Sequence, residues 1–94
     1  MRFEWDPKKN RANFRKHGIR FEEAQTVFFD EDAIVFDDPD HSDDESRFLL
    51  LGTSALARVV IVVHCLRDQG KTIRIISARK ATKTEREAYV RGVL

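Results

Sequence analysis

The sequence contains one cysteine, Cys65, so the chain cannot form an internal disulfide, and we expect it to work in a reducing compartment. It also lacks an apolar run of the roughly 20 residues that a membrane-spanning helix requires. The longest apolar run, Val59–Leu66, is short and includes His64. The first residues carry no apolar segment of the kind that signal peptides have. These absences predict a cytoplasmic protein that does not enter a membrane.

Motifs of several enzyme classes are missing as well. The sequence contains neither G-x-x-x-x-G-K-[ST] nor G-x-G-x-x-G, which disfavours chemistry on nucleoside triphosphates, and it has no serine or cysteine nucleophile motif. Residues 30–45 include nine carboxylates and no Lys or Arg, but no second histidine, cysteine or EF-hand glycine accompanies them. We therefore expect a solvated acidic edge there, and neither a metal nor another cofactor. Two functions remain: metal-independent cleavage of phosphodiesters, or binding without catalysis.

Composition predicts one folded domain that spans residues 1–94. Hydrophobic residues make up 41% of the chain and charged residues 35%, which is typical of a soluble globular protein. The net charge of +1 hides an asymmetry: residues 1–47 hold 8 Lys/Arg and 13 Asp/Glu, a net −5, whereas residues 48–94 hold 9 and 3, a net +6. The basic half suggests an anionic partner such as nucleic acid. The acidic half suggests either a basic protein partner or compensation within the fold.

The order of local patterns along the chain predicts an α+β fold. Asp6 and Gly18 are typical caps for a helix over Pro7–His17. The other predicted elements are strands at 2–5, 33–38, 47–53, 58–67 and 72–79, a helical segment at 21–29, and a final helix that begins after Thr82 or Thr84. Short connections between the last four strands imply a mainly antiparallel sheet in the chain order β-α-α-β-β-β-β-α, with the helices packed on one face.

The predicted strand at 72–79 combines isoleucines with two arginines, an arrangement that is costly unless each arginine has a purpose. Regular alternation places Arg74 and Arg79 on opposite faces of the sheet. Each guanidinium is either an ion-pair partner or part of an anion site. We expect Arg74, like Arg47, to pair with a carboxylate, and we expect a functional role for Arg79 because Lys80 follows it.

Two carboxylates, Glu85 and Asp38, are the expected partners of Arg47 and Arg74. His64 lies between apolar neighbours in a central strand. We therefore expect a buried, hydrogen-bonded histidine rather than a catalyst at this position.

The predicted first helix has an unusually polar side. Asn13, Phe14 and His17 share one face by helical spacing, and a helix that only buried itself would offer Leu or Ile there. The two polar side chains either face a cleft or cap neighbouring backbone groups, and the sequence leaves both open. The sequence also leaves the role of Tyr89 open, because this side chain either packs in the core or stacks on a nucleobase.

Cations gather at the ends of the predicted sheet. Arg67 lies beside the last hairpin turn, whereas Arg58, Arg79 and Lys80 lie at the far end. Lys83 follows near the N-terminus of the final helix. Because arginine forks and helix N-terminal amides both bind phosphate oxygens, these side chains predict a phosphate-binding surface.

Several segments, taken in order, carry a resemblance to a known family. They are 3–10 (Phe-Glu-Trp-Asp-Pro-Lys-Lys-Asn), Asn13, 16–24 (Lys-His-Gly-Ile-Arg-Phe-Glu-Glu-Ala), 45–48 (Glu-Ser-Arg-Phe), Arg67, 73–79 (Ile-Arg-Ile-Ile-Ser-Ala-Arg) and 85–89 (Glu-Arg-Glu-Ala-Tyr). Over nearly its whole length the chain resembles the BrnT family of bacterial type II toxins. The resemblance implies a RelE-like ribonuclease fold, inhibition of translation by RNA cleavage, and neutralisation by a BrnA-like antitoxin in a hetero-oligomer. It also implies that operator DNA is bound only through the antitoxin.

Cleavage of this kind needs a base for the RNA 2′-hydroxyl and cations for the charge that develops on the phosphoryl oxygens. We expect Arg67 and Arg79 to clamp the phosphate, because a guanidinium fork fits phosphate oxygens. His17 is the expected base or acid, and Glu45 is the alternative base. The expected substrate-binding residues are Asn13, Lys16, Arg58, Lys80 and Lys83.

Two other interpretations stay open. In the first, the chain is a non-catalytic subunit that binds a basic protein through residues 30–45 and nucleic acid through its basic half. That subunit would show salt-sensitive RNA binding without a product, whereas the enzyme gives new RNA ends. In the second, the chain is an inactive toxin kept in a repressor complex, and its induction without antitoxin would not slow growth.

Overall fold

The computed structural model describes residues 1–38 and 47–92, which form one five-stranded sheet and its helices. The elements are β1 (Arg2–Glu4), α1 (Pro7–His17), α2 (Phe21–Thr26), a 3₁₀ helix (Val27–Phe29), β2 (Ile34–Asp37), β3 (Arg47–Thr53), β4 (Val59–Arg67), β5 (Thr72–Lys80) and α3 (Lys83–Arg91). This succession confirms the predicted α+β fold. The predicted site residue Glu45 lies outside the described residues.

The strands lie in the order β1-β5-β4-β3-β2, so β1 and β2 form the two edges of the sheet. Strands β2 to β5 pair antiparallel with their neighbours, as their short connections predict. Strand β1 is the exception, because it pairs parallel to β5, with Glu4 opposite Arg74. The sheet is therefore mainly antiparallel, and its one parallel pair joins the first and last strands of the chain.

Capping residues fix both ends of α1 and the start of α3. The carboxylate of Asp6 accepts a hydrogen bond from the Lys8 backbone N–H at 2.9 Å, and Gly18 closes the helix at a φ of 73°. Glycine suits that position because it adopts a positive φ at no steric cost. Thr82 and Glu85 form a capping box at the start of α3, which selects one of the two predicted starts.

The main hydrophobic core lies on the sheet face that α2 and the 3₁₀ helix cover. We call it the core face, and its buried members are Ile19, Phe21, Ala24, Val27, Leu50, Val60, Val62, Ile73, Ile75 and Ala78. Phe21 is fully buried, and burying a side chain of this size contributes roughly 1.5–3 kcal/mol to folding. The helical spacing of the apolar residues in α2 thus produces the expected core contact.

Helix α3 packs against the opposite face of the sheet. There Ala81 and Tyr89 contact a smaller apolar cluster formed by Leu51 and Ile61. The prediction that all helices share one face is therefore wrong. Leu51 and Ile61 lie directly opposite each other on β3 and β4. This second face therefore also has an apolar strip, which α3 shields from water.

A β-bulge interrupts the pairing between β4 and β5. Val63 lies opposite Ser77 but His64 lies opposite Ile75, so Ile76 is an extra residue on β5. An extra residue in one strand reverses the alternation of its side chains from that point onward.

The bulge places both arginines of β5 on one face. Ile61 and Cys65 are four residues apart on β4 and point to the same face, and they lie opposite Arg79 and Arg74 respectively. The prediction of one guanidinium on each face is therefore wrong, because it assumed unbroken alternation. The face that carries Arg47, Arg67, Arg74 and Arg79 is called the arginine face below.

His64 points to the core face and is 4% exposed. Its Nδ1 lies 3.3 Å from the backbone carbonyl oxygen of Val62, and its ring meets the Phe28 ring edge-on. This confirms the expectation of a buried, hydrogen-bonded histidine.

Candidate active site on the arginine face

One row of side chains crosses four strands of the arginine face. Arg47 on β3 lies opposite Cys65 on β4, Cys65 lies opposite Arg74 on β5, and Arg74 lies opposite Glu4 on β1. Adjacent strands are about 4.8 Å apart, so the backbones at Arg47 and Arg74 are separated by about 10 Å. The short, buried Cys65 lies between these two long cationic side chains.

The carboxylate of Glu4 joins two of the arginines. Its Oε2 accepts a hydrogen bond from Arg74 Nη1 at 3.0 Å, and Arg67 Nε lies 3.8 Å from the same oxygen. Of the Glu4 side-chain surface, 39% is exposed. This row therefore combines a solvent-accessible carboxylate with two guanidinium groups held close to it.

The expected ion pair of Arg74 exists, but its partner is neither Glu85 nor Asp38. Glu4 was missed because the sequence pattern indicated an antiparallel meander, which gave no reason to place β1 beside β5. The only available signal was the alternation of β1, which puts Arg2 and Glu4 on one side of the strand.

Arg79 makes a bidentate ion pair with Glu85 at the start of α3. Its Nη1 donates to Glu85 Oε1 at 2.8 Å and its Nη2 donates to Glu85 Oε2 at 3.0 Å. The hydrogen bonds from Arg79 lower the pKa of Glu85 to about 2, and Glu85 in turn raises the pKa of Arg79. Since Glu85 also accepts from the Thr82 backbone N–H, this pair fixes α3 to the end of β5.

The structure does not bring Arg67 and Arg79 together. Arg67 lies opposite Thr72, and Arg79 lies opposite Ile61. These positions are six residues apart along β4, which corresponds to roughly 20 Å at the rise of an extended strand. The predicted clamp of one phosphate by both side chains is therefore not formed, although both belong to the arginine face.

Asn13 is a structural residue at the edge of β5. Its Nδ2 donates to the carbonyl oxygens of Ala78 at 2.8 Å and Ile19 at 2.9 Å, while its Oδ1 accepts from the Ala78 N–H at 3.1 Å. The side chain thus takes the place of a neighbouring strand beyond the end of β1. Both amide hydrogens are used and the residue is 7% exposed, so these contacts give Asn13 a structural role, and substrate binding by Asn13 stays a prediction.

His17 and Lys16 lie in the last turn of α1, which runs beside the β5 edge. Lys16 is exposed and His17 is half-buried. Within residues 1–38 and 47–92, no hydrogen bond or ion pair joins the His17 side chain to the row of Glu4 and Arg74. The geometry therefore offers no support for His17 as the base of that row.

Arg58 is held by Glu23, away from the arginine face. Its guanidinium pairs with both Glu23 carboxylate oxygens and donates to the Gly18 carbonyl oxygen at 3.1 Å, and Ser54 Oγ donates to Glu23 Oε2 at 2.7 Å. Burial raises the pKa of Glu23, but hydrogen bonds from Arg58 and Ser54 outweigh it and lower that pKa below its usual value. Arg58 therefore joins α2 to the β3–β4 turn, and the expectation of substrate contact is not supported.

The two remaining predicted substrate-binding residues are surface lysines. Lys80 ends β5 and Lys83 begins α3, and both are exposed. Within the described part of the chain, no group of three or more His, Cys, Asp and Glu side chains is arranged to hold a metal ion. None of the described helices is long and apolar enough to cross a membrane.

Comparisons with known proteins agree with this architecture. Residues 5–85 match the family described as "Ribonuclease toxin, BrnT, of type II toxin-antitoxin system". The crystal structure of the Brucella abortus ribonuclease toxin BrnT has the same fold, with a TM-score of 0.67 and 22% sequence identity over 88% of this chain and 99% of that chain. Comparison with curated protein sequences gives no match. Since the family match covers most of its length, the chain belongs to the BrnT family of ribonuclease toxins from type II toxin-antitoxin systems.

Proposed function

We propose that the chain is an endoribonuclease that acts in the cytoplasm, cleaves RNA without a metal ion and so inhibits translation. Its active site is the row on the arginine face, with Glu4 as the base and Arg67 and Arg74 as the phosphate-binding cations. One observation carries this proposal: a partly exposed carboxylate lies within 3.0 Å of Arg74 and 3.8 Å of Arg67.

The chemistry requires a proton acceptor beside a cationic phosphate site. Glu4 takes the proton of an RNA 2′-hydroxyl, whose oxygen forms a bond to the adjacent phosphorus while the bond from phosphorus to the 5′-oxygen breaks. The leaving 5′-oxygen takes a proton from solvent and becomes the 5′-hydroxyl end. Positioned general bases contribute about 10²- to 10⁴-fold to such rates. Arg67 and Arg74 stabilise the charge that accumulates on the phosphoryl oxygens, because guanidinium groups remain charged and bind two oxygens at once.

The rest of the arginine face binds the RNA strand on either side of that phosphate. Arg47 lies in the same row as Arg74, on the other side of Cys65. Arg79 lies opposite Ile61, four residues from Cys65 along β4, which is roughly 13 Å away. At that distance Arg79 contacts a neighbouring part of the strand, and the exposed Lys83 at the start of α3 extends the same path. Lys80 lies opposite Val60 and therefore points to the core face, away from this path.

The antitoxin completes the proposed system. A BrnA-like protein neutralises the toxin in a hetero-oligomer, and operator DNA is bound through that protein. Residues 30–38 contain five carboxylates and no Lys or Arg, which supports a protein partner for that part of the surface, because these charges repel RNA and DNA.

The reaction is tested with a short RNA that the purified toxin cleaves. We expect cleavage to continue in excess EDTA and to yield a 2′,3′-cyclic phosphate and a 5′-hydroxyl end. Replacing the nucleotide before the cleaved bond with its 2′-deoxy form should abolish cleavage at that bond alone. Cleavage that persists at the 2′-deoxy position, or that stops in EDTA, would contradict the proposed chemistry.

A further inference from the structure

The free edge of β2 offers backbone groups to a partner strand. Asp38 N–H donates to the Arg47 carbonyl oxygen at 3.0 Å. Since residues of an antiparallel strand point alternately toward and away from their neighbour, the backbone N–H and C=O groups of Val35 and Asp37 point away from β3. Within residues 1–38 and 47–92, no strand pairs with that side of β2.

An apolar groove lies beside this edge on the core face, beyond the part that the 3₁₀ helix covers. It has a volume of about 440 Å³, and its walls include the apolar side chains of Phe28, Val35, Phe48 and Leu66 and the acidic Asp37. The exposed fraction is 59% for Val35 and 48% for Leu66. The outer ends of β2 and β4 thus leave apolar side chains in contact with solvent, although the sheet between them is well packed.

The floor of the groove is formed by the buried side chain of His64. His64 stands edge-on to Phe28, with ring centroids 4.8 Å apart, and it lies 5.9 Å from the Phe48 ring. Burial lowers the pKa of the imidazole below its usual value. A preformed apolar surface of this kind binds the side chains of a strand that adds to the edge, because alternate residues of that strand point to one face.

Charge around the edge decides which class of partner fits. Residues 30–38 contain five carboxylates and no Lys or Arg. Two copies of this chain that paired through β2 would bring these carboxylates together, which is repulsive, and RNA would be repelled in the same way. A protein segment with alternating apolar and basic side chains complements both the groove and the charge.

We propose that the antitoxin adds a strand to β2, with its apolar side chains in the groove and Lys or Arg side chains against the acidic residues that flank β2. The binding surface formed by the Val35 and Asp37 backbone and by Phe28, Phe48 and Leu66 is called the β2 edge surface. The inference rests on the proposed function, since it takes the antitoxin as the partner, but it does not depend on Glu4 or on the cleavage step.

Calorimetric titration of the free toxin with its BrnA-like antitoxin tests this surface. Val35→Asp should weaken binding by about thirtyfold or more, because a central contact of an interface is replaced by a charge. The matched variant Leu56→Asp should stay within about threefold of wild type, since Leu56 is 65% exposed in the turn between β3 and β4 and does not line the groove. Leu66→Asp should behave like Val35→Asp, because Leu66 lines the same groove.

A second pair of variants tests the backbone contact itself. Val35→Pro removes an outward N–H without breaking the pairing with β3, whereas Val35→Ala keeps that N–H. We expect Val35→Pro to bind about three- to tenfold more weakly than Val35→Ala, which is the net effect of one hydrogen bond. Circular dichroism and thermal unfolding establish that each variant is folded before it is titrated.

Three results would overturn the proposal: no antitoxin binding by the wild-type toxin, unchanged affinity in the Val35 and Leu66 variants, or a loss of RNA affinity or self-association in their place. The proposed function fails separately, if the wild-type toxin cleaves no RNA. That outcome leaves the antitoxin affinities fully interpretable, because they are measured without RNA.

Discussion

The arginine face and the β2 edge surface belong to one sheet, yet their chemistry is opposite. The arginine face carries four guanidinium groups on three adjacent strands, and Glu4 lies among them. The β2 edge surface carries apolar side chains and flanking carboxylates. A nucleic acid is attracted to the first and repelled by the second. The comparison teaches that a net charge of only +1 conceals two surfaces of opposite charge, each suited to a different class of partner.

Among the arginines of the arginine face, replacement of Arg74 by alanine should show the largest effect. Arg74 binds Glu4 directly and lies beside the proposed phosphate position, so we expect the single-turnover cleavage rate to fall by about 10²- to 10³-fold, as for loss of an oxyanion-stabilising donor. Arg15→Ala on the exposed side of α1 is the matched control and should cleave within about threefold of wild type. Equal rates in the two variants would remove the distinction between the arginine face and the remaining basic surface.

Arg47→Ala should affect RNA binding more than chemistry. Arg47 lies in the row of Arg74 but does not contact Glu4. We expect RNA affinity to weaken uniformly across sequences, and the slope of log affinity against log salt to fall by about 0.7 to 1, since one phosphate contact is lost. Fluorescence anisotropy over a salt series measures both quantities. An unchanged slope would place the RNA elsewhere.

His64, which lies under the β2 edge surface, should make the free energy of unfolding of the protein depend on pH. Burial lowers the pKa of His64 in the folded protein, so the unfolded chain binds the proton more readily. The contribution of neutral His64 to the free energy of unfolding is therefore fully present above the unfolded pKa of about 6.5. It is lost as the pH falls below that value. Urea unfolding at several pH values between 7.5 and 5.5 should show this loss, and His64→Phe should reduce it. A pH dependence that is the same in both proteins would show that His64 is not its source.

Arg79→Ala should have the smallest effect. The Arg79–Glu85 pair is partly exposed, with 41% of the Arg79 side chain accessible, and pairs of this kind contribute about 0.2–1 kcal/mol. The pKa of Glu85 near 2 means that the contribution is present above about pH 4.5 and is lost as pH falls toward 2. We expect a small loss of stability at pH 7 that is much smaller at pH 2, and a smaller loss of cleavage than in Arg74→Ala. A loss of cleavage larger than in Arg74→Ala would show that Arg79 contacts the cleaved phosphate.

The local signals of the sequence predicted the elements well. Asp6, Gly18 and Thr82 act through contacts with residues at most four positions away, and such contacts can be read from spacing. The antiparallel order of β2 to β5 follows from short connections in the same way. These features need no knowledge of distant parts of the chain.

The site residues were harder to predict because they depend on distant pairings. No feature of the sequence predicts the β-bulge at Ile76, although this bulge places Arg79 on the same face of the sheet as Arg74. The parallel pairing of β1 with β5 brings Glu4 to Arg74 across 70 positions of sequence. The polar side chain of Asn13 makes hydrogen bonds with the backbone of Ala78, which is 65 positions away. Local spacing in the sequence does not predict such a contact.

The single-turnover cleavage rate of Glu4→Gln tests the central claim most directly. Glutamine keeps the shape of the side chain and removes its capacity to accept the 2′-hydroxyl proton, so we predict a rate about 10²- to 10⁴-fold below wild type. RNA affinity and antitoxin affinity should both stay within about threefold. Glu87→Gln, an exposed position on α3, is the matched control. A Glu4→Gln toxin that cleaves as fast as the Glu87→Gln toxin would show that Glu4 is not the base.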